Sequence, residues 1–433
     1  MAALRAGARV AALDAAHVWH PYTQHLGAAP PVPIVRAEGA LLFDAAGRPI
    51  IDAISSWWVT LHGHAHPAIA RAVAEQAARL DQVIFTAFTH EPAAALAAEL
   101  VARLPEGLTR VFYSDDGSTA VEVALKIALQ YWANRGEPRR RIAALTHAYH
   151  GDTFGAMSAS APSTFTAPFA DQLFDIVRLP APDDGDGVAL LRALDVALDA
   201  PGDPLAAVIV EPRLQGAGGM RVWSAGLLRD IRARTLERGA LLIADEVLTG
   251  FGRTGPLFAS EGAGIVPDII CLSKGLTGGF LPLGATVVRE PIFDAFLSED
   301  RRRTLFHGHS YTANPIACAA ARASLALLDA ACAARRDAIA AIHERRIGAL
   351  ASHPRVRRPR VLGTVAAFDL AGSDAGGYLS DSAAGLTAFA LERGVLLRPL
   401  GDVIYVLPPY AITDAELGQV YDVIQTFLAA HAQ

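Results

Sequence analysis

Leu241-Leu242-Ile243-Ala244-Asp245-Glu246-Val247 and, further on, Asp268-Ile269-Ile270-Cys271-Leu272-Ser273-Lys274 are two short apolar runs that lead into ionisable side chains. Comparable runs, Val111 to Ser114, Ile142 to Leu145, Ala207 to Glu211 and Gly284 to Val288, alternate with helical patterns through the middle of the chain. Continuous apolar strands separated by helices predict an α/β fold with a mostly parallel sheet covered on both faces. Ligands collect at the carboxyl ends of such strands, and the polar residues fall there. The flanks differ, with a hairpin-like piece from Leu41 to Ile51 and an α+β pattern ending at Val403 to Pro409. The expected organisation is a smaller α+β domain built from residues 1–64 and 329–433, and a large domain over 65–328.

Composition narrows the function. The 433 residues carry a net charge of −6 and no long basic run, so nucleic acid is not an expected partner and small molecules are. Apolar residues make up 52% of the chain, yet no unbroken run reaches the ~18 residues of a membrane span. Cys271, Cys318 and Cys332 form no CxxC pair, which fits a reducing cytoplasm better than a disulfide framework or zinc ribbon. The segment from Met1 to Ala16 has the Ala/Arg bias of a transit peptide, but it lacks serine and contains Asp14, so a first helix or frayed terminus is expected.

Only Lys126 and Lys274 are lysines among 38 basic residues, which leaves two candidates for any lysine chemistry. Lys126 falls inside a helical pattern, on a solvated flank. Lys274 follows a buried strand and precedes a Gly-rich segment, where apolar surroundings lower an amine's pKa and make it a nucleophile toward an aldehyde. A plain loop lysine is the alternative. Asp245, at the end of its strand, needs a cation or a donor, and a protonated pyridine nitrogen and a structural salt bridge both qualify. Gly117-Ser118 opens a helix after Val111 to Ser114, so its backbone N–H groups suit a phosphate, although an ordinary N-cap has the same look. Gly250-Phe251-Gly252-Arg253-Thr254-Gly255 matches the dinucleotide fingerprint, but Pro256 follows where a helix should open, so we read a shaped loop. The clusters His62-Gly63-His64-Ala65-His66 and His307-Gly308-His309 lack carboxylate or cysteine partners at ligand spacing, and no metal is expected.

The ordered set Gly117-Ser118, Tyr149-His150-Gly151, Glu211-Pro212, Asp245-Glu246-Val247, Thr249 through Gly255 and Ser273-Lys274-Gly275 resembles the class III aminotransferases of the fold-type-I pyridoxal-phosphate superfamily, over essentially the whole chain. Trp19 through Gln24, Ser55-Ser56-Trp57-Trp58, Tyr149 through Ser158, Gln215 through Met220 and Arg398-Pro399 before Tyr405 are similar to one branch of it. That branch aminates 8-amino-7-oxononanoate with S-adenosylmethionine as donor, in biotin synthesis. The nearest alternative is a class III relative that pairs an ω-amino acid or diamine with a 2-oxo acid.

The resemblance implies pyridoxal 5'-phosphate bound through the amine of Lys274, with Asp245 on the pyridine nitrogen and Tyr149 stacked on the ring. Gly117 and Ser118 would hold the phosphate, and Ser310 of a second subunit would complete that cup, making a homodimer with shared sites. Tyr22, Trp57, Trp58 and Gly308 would line the substrate site, Arg398 would clamp the carboxylate of the oxononanoate, and Arg253 would pair with Asp152. His309-Ser310 and Asp116 depart from the Pro-Thr and Ser common in the branch. A serine hydroxyl donates to phosphate as a threonine does.

Overall fold

The computed structural model describes residues 2–182, 187–371, 383 and 385–430. The N-terminal segment is a helix, Ala2–His17, followed by three short antiparallel strands, β1 (Ile34–Glu38), β2 (Leu41–Asp44) and β3 (Pro49–Asp52). The expected hairpin of Leu41 to Ile51 is the β2–β3 pair.

Seven strands then build the main sheet: β4 (Leu108–Ser114), β5 (Arg141–Leu145), β6 (Val177–Leu179), β7 (Leu205–Val210), β10 (Leu241–Asp245), β11 (Ile269–Leu272) and β12 (Gly284–Arg289). A two-stranded hairpin, β8 (Leu214–Gln215) and β9 (Arg221–Val222), lies between β7 and β10 in sequence. The spatial order is β4-β12-β11-β10-β7-β5-β6. Every neighbouring pair is parallel except those of β12, which runs antiparallel to both β11 and β4. All residues of β7, β10 and β11 are buried, as continuous apolar strands covered on both faces must be. The three-residue β6 was not among the expected strands, because so short a run carries no periodicity.

Helix Gly117–Asn134 packs across five of these strands. Its stripe of Val121, Leu125, Ala128 and Trp132 is buried, and the Trp132 indole N–H donates to Ala206 O at 2.9 Å. No single helix among the described residues is long and apolar enough to cross a membrane.

The C-terminal strands are β13 (Val356–Leu362), β14 (Val365–Leu370), β15 (Val395–Leu396) and β16 (Val403–Val406). β13, β14 and β16 form an antiparallel sheet, while β15 crosses over and joins β3 in parallel, Val395 opposite Ile51 and Leu396 opposite Asp52. Backbone bonds from Leu407 N to Ala53 O (2.8 Å) and from Tyr410 N to Leu61 O (2.7 Å) extend this seam between the two ends of the chain. The site lies beside it.

Candidate active site

The carboxyl ends of β4, β5, β7, β10 and β11 lie at one edge of the sheet, and the segments leaving them bring Gly117, Tyr149, Glu211, Asp245 and Lys274 to a single cavity of about 390 Å³. Trp58 closes it from the N-terminal segment.

Lys274 has a left-handed φ of 44°, and its Nζ sits 4.9 Å from the centroid of the Trp58 ring. Burial pulls its amine down from 10.5 to about 8, against the pull of Asp245 and Glu211, which favour the ammonium. Asp245 is 5% exposed. Its Oδ1 accepts from Val247 N at 3.1 Å and its Oδ2 is 2.7 Å from His150 Nδ1. The required partner of this carboxylate is therefore partly a histidine 95 residues away, which the sequence motif contained without a role. Glu211, fully buried, accepts from Tyr149 N (3.1 Å) and Gly216 N (2.9 Å), and burial raises its carboxyl to about 7.

At the helix start, Asp116 caps the helix by accepting from Thr119 N at 2.8 Å, which leaves the N–H groups of the cavity-lining Gly117 and Ser118 unused by that cap. The helix dipole there favours an anion. Glycine is required at 117, since a Cβ would come within 2.7 Å of Val247 Cγ1. Gly151 has a φ of 130°, and a Cβ on it would strike Ser118 Oγ at 2.2 Å. An anion seat, an amine and a buried carboxylate in one cavity suit a flat phosphate ester carrying an aldehyde and a basic ring nitrogen.

Next to this cavity, Asp152 accepts from the hydroxyls of Tyr149 (3.0 Å) and Tyr22, and its own N–H donates to Ser118 Oγ at 3.2 Å. Tyr22 packs edge-on to Trp57 with 5.5 Å between centroids and to Phe165 with 5.3 Å. The Arg398 guanidinium covers the Trp57 ring at 4.3 Å, and Trp58 Nε1 donates to the Tyr405 hydroxyl at 3.0 Å. Tyr22, Trp57, Asp152 and Arg398 thus form a wall continuous with Tyr149. Phe165 belongs to that wall, and no sequence motif pointed to it.

The bend that carries the tryptophans is held by Asp52. Its Oδ2 takes Ser56 Oγ at 2.9 Å and His64 Nε2 at 2.8 Å, and its Oδ1 takes Ile54 N at 3.2 Å. Ser55, Ser56 and Trp58 have left-handed φ of 53°, 58° and 68°, a conformation that costs about 1–3 kcal/mol per residue and needs such supports.

One expectation needs correction. Arg253 does not pair with Asp152. It is 1% exposed, donates to Pro408 O (2.8 Å) and Thr60 O (2.9 Å), and its carbonyl accepts from Thr364 N at 2.9 Å. It ties the Gly250–Gly255 loop to three distant segments, while Asp152 is taken by two tyrosines. Gly308 and Ser310 do not line this chain's cavity; both are exposed. Lys126 is exposed as expected, yet it reaches Phe306 O (3.3 Å) and His307 Nδ1 (3.1 Å) in the segment leading to Ser310. Of the clustered histidines, His62 bonds Ser324 Oγ at 3.1 Å, His66 caps a helix through Ala68 N at 3.3 Å, and His307 contacts His309 at 3.1 Å.

Residues 22–428 match the family described as aminotransferase class-III. The adenosylmethionine-8-amino-7-oxononanoate aminotransferase of Synechococcus elongatus is 54% identical, over 95% of this chain and 98% of the relative. The enzyme of the same name from Methanocaldococcus jannaschii has a solved structure that superposes with a TM-score of 0.91 at 32% identity, covering 97% of this chain and 99% of that one. An omega transaminase from Pseudomonas jessenii, solved in complex with PMP, superposes at 0.89 with 25% identity, covering 96% of each chain. The match over nearly the full length, together with a fold-type-I sheet that delivers a lysine and an aspartate to one cavity, places this chain in the class III aminotransferase family.

Proposed function

We propose that this chain transfers the amino group of S-adenosylmethionine to 8-amino-7-oxononanoate, giving 7,8-diaminononanoate, with pyridoxal 5'-phosphate as cofactor. The observation that carries the reading is the meeting of Lys274, Asp245 and the Gly117–Ser118 helix start in one cavity bordered by the wall of Tyr22, Trp57 and Arg398.

Bound pyridoxal phosphate supplies an aldehyde that exchanges amines and a cationic ring that draws electrons from the substrate carbon. Lys274 would hold that aldehyde through its amine, whose pKa of about 8 leaves a share of it unprotonated near neutrality. With the cofactor bound, the free amine of Lys274 would serve as the base for the proton on the donor's reacting carbon. Asp245 would face the ring nitrogen. Gly117 and Ser118 would hold the phosphate through their N–H groups, and Tyr149, pinned by Glu211 and Asp152, would cover the ring. Asp152 and Tyr22 would fix the substrate side, Trp57 and Trp58 would cover an alkyl chain, and Arg398 would bring a positive charge to a carboxylate. The buried Arg253 orders the neighbouring loop.

The working unit in this reading is a homodimer, in which the exposed Gly308 and Ser310 of each copy complete the other's cavity. Phe306 (71% exposed) and Tyr311 (65%), on the same segment, support such a contact. Residues 65–328 would bear the cofactor, with 1–64 and 329–433 forming the smaller domain. Free thiols at Cys271, Cys318 and Cys332 fit a reducing cytoplasm.

The test is turnover with adenosylmethionine and the oxononanoate, alongside borohydride reduction of the holoenzyme. Product formation with cofactor trapped on Lys274 supports the proposal. Good activity on an ω-amino acid or diamine with a 2-oxo acid, and none with the named pair, moves the chain to another branch of the family.

A further inference from the structure

We propose that His150 is a positioning residue for the transamination, acting through Asp245 by donating its Nδ1–H to Oδ2 and so aiming that carboxylate at the cofactor's ring nitrogen. The inference rests on the function proposed above.

Asp245 has few other supports among the described residues. Its Oδ1 accepts the backbone N–H of Val247 at 3.1 Å, and the residue opposite it on β11 is Cys271, whose thiol burial keeps protonated. Without His150, Oδ2 has no donor among the described residues, and rotation about χ2 of an aspartate meets only a broad, two-fold barrier. A carboxylate that must meet one ring nitrogen gains from a second fixed donor.

The imidazole is equipped for that role and for little else. Its side chain is fully buried, its backbone N–H is held by Ser160 Oγ at 2.8 Å, and Gly151 turns the chain away directly after it. A carboxylate only accepts, so the Nδ1–H tautomer is the one that fits the 2.7 Å contact. Nε2 is buried with no partner among the described residues, and in this tautomer it is a lone pair, not a stranded N–H. Among those residues, then, the side-chain hydrogen bonding of His150 goes to Asp245 alone. The other ionisable groups facing this pair are Glu211, Lys274 and Cys271, which bear on it electrostatically and make no hydrogen bond to either side chain.

The test compares His150→Leu, which removes the donor, with His150→Asn, whose side-chain amide places an N–H near the position of Nδ1. Apoprotein of each variant is titrated with pyridoxal phosphate, and holoenzyme is assayed for kcat and KM. Loss of a hydrogen bond to a charged group corresponds to about 10- to 100-fold. His150→Leu is expected to lose cofactor affinity and kcat within that range at near-parental KM for the donor, and His150→Asn to recover most of both. The inference is overturned if His150→Leu keeps parental affinity and kcat, or if His150→Asn is as impaired as His150→Leu while both melt like the parent. A parent that yields no borohydride-trapped cofactor on Lys274 overturns the proposed function and this inference together.

Discussion

The ammonium of Lys274 and the indole of Trp58 face each other at 4.9 Å, and the indole is itself anchored through Nε1 to the hydroxyl of Tyr405 at 3.0 Å. The lysine is thus presented in a dry, aromatic setting, with its pKa drawn down from 10.5 to about 8 chiefly by burial. The rate at which apoprotein captures pyridoxal phosphate should rise with pH and level off above about 8, because the free amine is the reacting form. A rate still climbing toward 10.5 would show an ordinary, hydrated lysine. Lys274→Ala should leave no cofactor trapped by borohydride.

Glu211 couples the site to stability. Its carboxyl is raised from 4.5 to about 7, so between those values the folded protein holds a proton that the unfolded chain releases. Stability from this group therefore falls as pH climbs through that window. Glu211→Gln should abolish that slope in urea titrations across it. It should also lower the baseline by about 1–3 kcal/mol, since one of the amides of Tyr149 and Gly216 then faces an NH₂ group. An unchanged slope would place the titration elsewhere.

Asp52 supports the strained bend of Ser55 to Trp58 with three hydrogen bonds. Asp52→Ala should cost about 1–3 kcal/mol in denaturant and raise KM for the keto acceptor, because Trp57 and Trp58 lose their fixed placement. A stable variant with parental KM refutes the link.

The guanidinium carbon of Arg398 lies 4.3 Å from the centroid of the Trp57 ring. Arg398→Leu should raise the acceptor's KM by about 10- to 100-fold, as for loss of a charged hydrogen-bonded contact. Arg398→Lys should restore little, since an ammonium neither stacks nor presents a fork. Full rescue by lysine in steady-state assays would argue for a simple point charge.

At Gly117 the space is closed by Val247, whose Cγ1 would stand 2.7 Å from an added methyl group. Gly117→Ala should destabilise by about 1–3 kcal/mol through overpacking and weaken pyridoxal phosphate binding. Val247→Ala in the same chain should recover much of the stability, measured as melting temperature with and without cofactor.

The parts legible in the sequence are those whose chemistry follows directly from a local pattern. Asp245 ends one apolar strand, Lys274 follows another and Gly117 opens a helix after a third, so strand-end logic brought all three together. Tyr22, Trp57 and Arg398 came from resemblance and do form one wall. What was not legible depends on partners far apart in the chain: His150 with Asp245, Trp58 with Tyr405 across 347 residues, and Asp52 under a bend whose φ values no composition announces. Arg253 shows the same limit in reverse, since a polar residue in a recognisable loop was assigned a charged partner and instead lies buried against carbonyl groups. The antiparallel direction of β12 was also hidden, because an apolar strand reads alike in either direction.

The pairing of β15 with β3 has a consequence for the newborn chain. The ribosome delivers Ile51 long before its neighbour Val395, with the whole of the main sheet made in between. At ~5–20 residues per second, the first strands wait on the order of half a minute with an open edge before their partner emerges. During that interval they are the segment most exposed to wrong pairing and chaperone capture, and a chain released early would lack the strand that seals them.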